Sequence, residues 1–183
     1  LMRRAGWRTI TVAPESGSPA TLVKMRKDFD LAILPRVVRE IRDAGLAVQA
    51  FFIIGYPGET RDDLRQTVDL IEKVDFDFVY LNNFQPLPGT PVYDELVARG
   101  EISDGLLPAS YSDGVRSYTP RELADVNFPG LILRTYFSLA IRHPVRFLRM
   151  LRFFNLELLG RKLVLNLARA VMRFRAASRF QTP

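Results

Sequence analysis

The chain has 183 residues, 48% of them hydrophobic, which suffices for one modest domain or part of a larger one and argues against wholesale disorder. It has no cysteine and one histidine, His143, which excludes disulfides, a thiolate zinc site and any cysteine-held iron–sulfur cluster within these residues. The net charge of +6 is uneven: from Leu131 onward eleven Lys/Arg face one acid, Glu157, whereas the first 130 residues carry a net −4.

Leu1 to Arg8 lacks an apolar stretch behind its arginines, and no run of about 18 uncharged apolar residues follows anywhere, so neither a secretory signal nor a spanning helix is expected. The expected location is cytoplasmic. A chain opening on Leu1 instead of Met is expected to be a fragment or to use an unusual start codon.

Arg8 to Ala13 alternates as a short strand, and Ser18-Pro19 then caps a helix through Leu22 and Met25. Asp30 caps a second helix, with Leu34, Val37, Val38 and Ile41 at helical spacing and Gly45 at its end. Val48 to Ile54 is nearly continuously apolar and predicts a strand buried on both faces of a parallel sheet. Gly55-Tyr-Pro-Gly58 turns the chain, and Thr60 with Asp63 starts a third helix carrying Leu64, Val68 and Ile71. Phe78 to Leu81 reads as the third strand, so strand and helix alternate as βαβ units of a parallel α/β sheet.

Thr90-Pro91 starts another helix ending near Gly100, and Glu101 to Tyr118 reads as an irregular loop. A helix is predicted from Thr119-Pro120, interrupted at Pro129-Gly130, with a second break at His143-Pro144. The division expected is 1–100 as the α/β part, 101–130 as an irregular linker with a short helix, and 131–183 as a basic helical tail.

Three segments fall just past the strand ends, where parallel α/β sheets keep their ligands. Glu15-Ser16-Gly17-Ser18 offers a carboxylate and hydroxyls beside a helix start, able to hold ribose hydroxyls or an amino group; a capped turn with a surface acid reads equally well. Phe52 to Thr60 ends an apolar strand on glycine, against which a flat base can lie. It lacks the Gly-Lys-Ser/Thr of a phosphate loop, and Glu59 fits a helix-dipole role. Gln85-Pro-Leu-Pro-Gly-Thr-Pro91 is a stiff turn able to close one wall of a site.

In order and at βαβ spacing, Glu-Ser-Gly-Ser, Leu22-Val-Lys-Met-Arg-Lys27, Phe-Ile-Ile-Gly-Tyr-Pro-Gly-Glu-Thr and Pro-Leu-Pro-Gly-Thr-Pro-Val-Tyr93 together resemble the radical S-adenosylmethionine (SAM) superfamily. The resemblance is to its cobalamin-binding, magnesium-protoporphyrin cyclase-like branch and covers roughly residues 5 to 100. It implies the C-terminal half, about three parallel strands, of a partial (β/α)6 barrel, followed by the basic helical tail. On the same resemblance Glu15 and Ser16 are polar SAM ligands, and Lys27 holds the methionine carboxylate. Ile53, Ile54 and Gly55 line the adenine, and Leu87 and Pro88 add a wall.

The family's [4Fe–4S] cluster sits on a Cys-x-x-x-Cys-x-x-Cys loop and reduces SAM to methionine and a 5′-deoxyadenosyl radical. This chain has no such cysteines, so the cluster, and any cobalamin, would belong to an intact protein whose N-terminal half is absent here. The expectation is a fragment without activity of its own. Two other readings stand beside it: a SAM- or nucleotide-binding remnant with a scaffolding role, and a peripheral protein of an anionic membrane surface at the inner face. A half barrel would also leave an unpaired edge where a third strand should lie, so self-association is expected.

In the tail, Lys162, Asn166, Arg169 and Arg173 form one polar stripe, and Arg146, Arg149 and Arg152 line one side of the preceding segment. Basic amphipathic helices suit anionic membrane surfaces, and a packed appendix with solvated or paired arginines is the alternative. No aromatic–basic interleaving of a nucleic-acid module is present, which disfavours nucleic acid as a partner.

Overall fold

The three apolar alternating segments form one parallel sheet, in the order β1 (Thr9–Glu15), β2 (Ala47–Ile54) and β3 (Phe78–Asn83). This is a computed structural model, and the residues described are 1–103 and 118–151. Most of the loop expected at 101–118 and the stripe from Lys162 to Arg173 lie outside them. Residues opposite one another include Ile10 and Val48, Val12 and Ala50, Ala50 and Val79, and Phe52 and Leu81.

The helices between strands start where local chemistry starts them. Ser18 accepts from the Thr21 N–H to open α1 (Pro19–Lys24). Asp30 caps a single 3-10 turn at Leu31–Ile33, which runs into α2 (Leu34–Asp43). α2 ends with the Gly45 N–H on the Arg42 carbonyl and the Leu46 N–H on the Ile41 carbonyl, a Schellman closure. α3 (Arg61–Lys73) opens on a full capping box, in which Thr60 and Asp63 each bond the other's backbone N–H. α4 (Pro91–Ala98) begins at the Thr90 cap.

Past Tyr118 the structure departs from expectation. Only a 3-10 turn, Arg121–Leu123, follows Pro120, and the long helix α5 (Phe128–Arg142) begins at an Asn127 cap. Pro129 therefore starts this helix instead of interrupting it, since a first-turn proline lacks only an N–H that has no helical partner anyway. His143 ends α5 and Pro144 starts α6 (Pro144–Leu151), as expected.

β2 is not buried on both faces. Val48, Ala50, Phe52 and Ile54 are fully buried, while Ala47, Gln49, Phe51 and Ile53 between them are half-buried. The main core lies on one side: Leu34 and Val38 of α2, Leu64 and Ile71 of α3, and Phe128 and Leu139 of α5 join Phe52, Ile54 and Val79. Leu96 and Val92 of α4 pack with Phe84, Tyr118 and Ile53 in a smaller cluster. On the other face Phe51 stacks on Tyr80 with ring centroids 4.4 Å apart and the planes 8° from parallel. Among the described residues β1 and β3 are each paired on one side only, and α5 reaches β3 through the Tyr136 hydroxyl, which donates to the Val79 carbonyl (2.8 Å).

Candidate functional site

At the end of β1 the chain makes a turn whose polar residues are consumed by the fold. The Ser16 hydroxyl is fully buried, 3.1 Å from the Thr67 hydroxyl, and accepts from the Ser18 N–H. The Gly17 N–H donates to Thr67 as well, and Ser18 donates to the Asp63 carboxylate. Gly17 must be glycine, because a Cβ there would stand 2.5 Å from the Gln66 carbonyl oxygen and 2.6 Å from the Thr67 Cα. Burial pushes Asp63 up, but bonds from Ser18 and from the Thr60 N–H and hydroxyl hold it below the usual carboxylate range.

This splint fixes Glu15, whose φ of 67° lies in the left-handed region that a non-glycine residue occupies at a cost of about 1–3 kcal/mol. Lys27 meets Glu15 at 3.4 Å and donates to the Ala13 carbonyl at 2.5 Å. Lys27 reaches there because α1 closes on Arg26, itself at φ 54°, with the Lys27 N–H on the Leu22 carbonyl.

The turn after β2 is held from inside. Glu59 is fully buried, and its Oε2 accepts from the Gly55 N–H (2.5 Å) and the Tyr56 N–H (3.3 Å). Its Oε1 has no hydrogen-bond partner among the described residues. Burial raises the Glu59 pKa to about 7; the two N–H donors and Lys24 oppose this, and the charge of Asp63 adds to it. Gly55, at φ 79°, packs under Phe128, whose ring would lie 3.2 Å from an added Cβ.

The end of β1, the half-buried sheet face, the segment after β3 and the start of α5 line a concavity of about 1000 Å³ at the C-terminal ends of the strands. Phe51, Ile53, Leu87 and Ile132 give it apolar walls, and Glu15, Asn82, Asn83 and Gln85 supply its polar side chains. The Asn83 Oδ1 is buried with no partner among the described residues. A mostly apolar cleft with a few convergent polar groups is the usual form of a small-molecule site.

Of the residues expected at a site, the structure brings Glu15, Ile53 and Leu87 to this concavity. Lys27 stands behind Glu15, and Gly55 forms the turn beneath Phe128. Ser16 is turned into the Thr67 cluster, Ile54 belongs to the core on the opposite sheet face, and Pro88 is exposed outside the lining. Sequence reasoning missed the carboxamides Asn82 and Asn83, although two adjacent amides ending an apolar strand were a readable signal. It also missed Pro129 and Ile132, which reach the site only through the packing of α5. No group of three or more potential metal ligands occurs among the described residues.

No protein-family model matches the chain. Curated relatives do. The chain is 37% identical over 82 residues to the threonylcarbamoyladenosine tRNA methylthiotransferase MtaB of Thermotoga maritima, a stretch that is 44% of this chain and 19% of that protein. It is 38% identical over 82 residues to the tRNA-2-methylthio-N(6)-dimethylallyladenosine synthase of Aromatoleum aromaticum, covering 44% and 18% of the two chains. Against the human threonylcarbamoyladenosine tRNA methylthiotransferase the identity is 35% over 79 residues, 42% of this chain and 14% of that one. The matched stretch thus spans less than a fifth of these relatives' length.

Proposed function

We propose that residues 1–103 with α5 form the SAM-facing wall of a radical SAM enzyme. The observation that carries this reading is the concavity at the strand ends, with a strained carboxylate, Glu15, held at its rim. The tRNA methylthiotransferase relatives, which are radical SAM enzymes, support the class. The matched stretch is under half of this chain and under a fifth of theirs, and methylthio transfer to a tRNA adenosine is the substrate reading that the relatives favour. Cobalamin draws no support from them, and the proposal does without it.

The concavity fits an adenosyl group: its volume is ample, Phe51 and Ile53 offer an apolar surface to a flat base, and the free Asn83 Oδ1 is a waiting acceptor. Glu15 would accept from ribose hydroxyls or from the methionine ammonium. Lys27 already contacts the Ala13 carbonyl and Glu15, so its part is to orient that carboxylate and offset its charge. Asn82 and Gln85 would meet the base edge or ribose from the β3 side. When bound with a reduced cluster, SAM supplies the carbon–sulfur bond whose cleavage gives a 5′-deoxyadenosyl radical. The cluster itself does not fit these residues, since the sequence has no cysteine to hold it, and its thiolates would have to come from outside the 183 residues.

Titration of the isotopically labelled chain with SAM, followed by NMR, tests the reading. Saturable shifts are expected at Glu15, Phe51, Ile53, Asn82 and Asn83; shifts confined to other surfaces would overturn it. Glu15→Gly separates binding from folding. Glycine relieves the left-handed strain, so stability should hold or rise by about 1 kcal/mol while the SAM-induced shifts disappear. Shifts that survive in this variant would remove Glu15 from the site.

A further inference from the structure

Among the described residues, α5 and α6 expose a row of large apolar side chains. Leu133, Phe137 and Ile141 on α5 and Val145 and Leu148 on α6 are each at least 63% exposed. The first three are spaced by four and so share one side of α5, away from Thr135 and Leu139, which are buried. On α6 the alternate side is engaged instead: Arg146 is buried against the end of α3. Isolated exposed leucines are ordinary, but five large side chains running along two consecutive helices form a surface that calls for a partner.

We propose that this stripe docks on an anionic lipid surface, with α5 and α6 lying in the interface plane. The charge of the same segment is the argument. No acidic residue occurs between Asp125 and Glu157; α5 and α6 carry Arg134, Arg142, Arg146 and Arg149, and seven more Lys/Arg follow in the sequence after residue 151. Arg134 is exposed next to the stripe. Arg146 and Arg149 are engaged by the end of α3 and by Asp75 and Asp77, so the cations flanking the stripe are Arg134 and the exposed Arg142, which also pairs with Glu72. An apolar face flanked by arginines matches a bilayer surface with anionic headgroups, where apolar burial and electrostatic attraction add. A second copy of the chain would bring the two cationic segments together, which opposes association through this face. Crossing the bilayer is not open to it, since no helix among the described residues is long and apolar enough.

The test is sedimentation of the full 183-residue chain with vesicles of equal parts phosphatidylcholine and phosphatidylglycerol, against vesicles of phosphatidylcholine alone. The chain should pellet with the anionic vesicles and stay largely in solution with the neutral ones. The triple variant Leu133→Ser, Phe137→Ser, Ile141→Ser should bind at least about tenfold more weakly at unchanged thermal midpoint, because it alters only exposed side chains. Wild-type protein remaining in solution with both vesicles, or a variant that pellets equally well, would overturn the proposal. So would a lowered thermal midpoint in the variant, which would show that the chain itself covers the stripe. Concentration-dependent mass in light scattering, lost in the variant and unaccompanied by vesicle binding, would replace the lipid with a second copy.

Discussion

Replacing Arg146 with alanine should destabilise the chain by about 3–5 kcal/mol, a large part of the ~5–15 kcal/mol that holds a typical domain folded. The guanidinium is buried and donates three ways: Nη2 to the Ile71 carbonyl (2.6 Å), Nη1 to the Glu72 carbonyl (3.2 Å) and Nε to the Phe76 carbonyl (3.0 Å). Two of these carbonyls belong to the last turn of α3, which has no helical donors for them. Arg146 thus caps a helix whose C-terminal partial negative charge favours a cation there. Burial lowers its pKa to about 10, so it stays charged at neutral pH, with Asp77 and Glu72 favouring the charged form. Alanine would leave three carbonyls without donors and remove the cation that faces the Phe76 ring at 6.0 Å. Arg146→Lys should recover only part of the loss, because an ammonium cannot reproduce the planar fork. Arg142→Ala is the control: its ion pair with Glu72 is exposed at the arginine and should be worth less than about 1 kcal/mol. Chemical denaturation of the three variants checks the order, and equal small losses for Arg146→Ala and Arg142→Ala would refute it.

The two ends of α3 show what a sequence discloses. Its start was legible because Thr60 and Asp63 are three residues apart and satisfy one another without help from the rest of the chain. Its end was not, because the residue that completes it lies about 75 positions downstream. The same distance dependence explains the basic segment. Arg146 and Arg149 read as one side of an amphipathic surface, yet Arg149 bonds Asp75 at 2.7 Å and Asp77 at 3.1 Å, and Arg146 is buried. Spacing shows that residues share a face and leaves open whether water or protein meets it.

The site divides along the same line. Strand ends, turns and the order of elements up to Gly100 were readable, and of the expected residues the structure brings Glu15, Ile53 and Leu87 to one concavity. The partner of Ser16 was not readable for a physical reason: a hydroxyl at a strand end serves a ligand or a neighbouring helix equally well, and here it meets Thr67, fifty-one residues on. Ile53 and Ile54 read alike because an unbroken apolar run hides the alternation that sends Ile53 to the concavity and Ile54 to the core. The helix α5, which completes the wall with Pro129 and Ile132, was obscured by reading its first-turn proline as a break.

Glu59 gives the second large prediction, a stability that falls as pH rises from about 4.5 to about 7. Read from the sequence, this carboxylate fitted a helix-dipole role; the structure buries it completely and aims it at the Gly55 and Tyr56 N–H groups. Its pKa rises from the ordinary 4.5 to about 7, chiefly through burial. Between those values the folded chain keeps a proton that the unfolded chain releases, so each step upward in pH favours unfolding. The contribution is complete below about 4.5, declines across the window and is lost above about 7. At about 1.4 kcal/mol per pH unit the decline amounts to roughly 3 kcal/mol. Oε1, without a partner among the described residues, is the oxygen on which the proton disturbs none of their bonds. Glu59→Gln keeps an oxygen for the two N–H donors and cannot titrate, so its stability should lack this component. The difference between wild type and Glu59→Gln, measured by urea denaturation from pH 4.5 to 8, should therefore shift in the variant's favour by about 3 kcal/mol and level off above pH 7. A difference that stays flat with pH would mean that Glu59 is ionised throughout. The turn after β2 would then be held by a buried charge instead of by a neutral carboxyl.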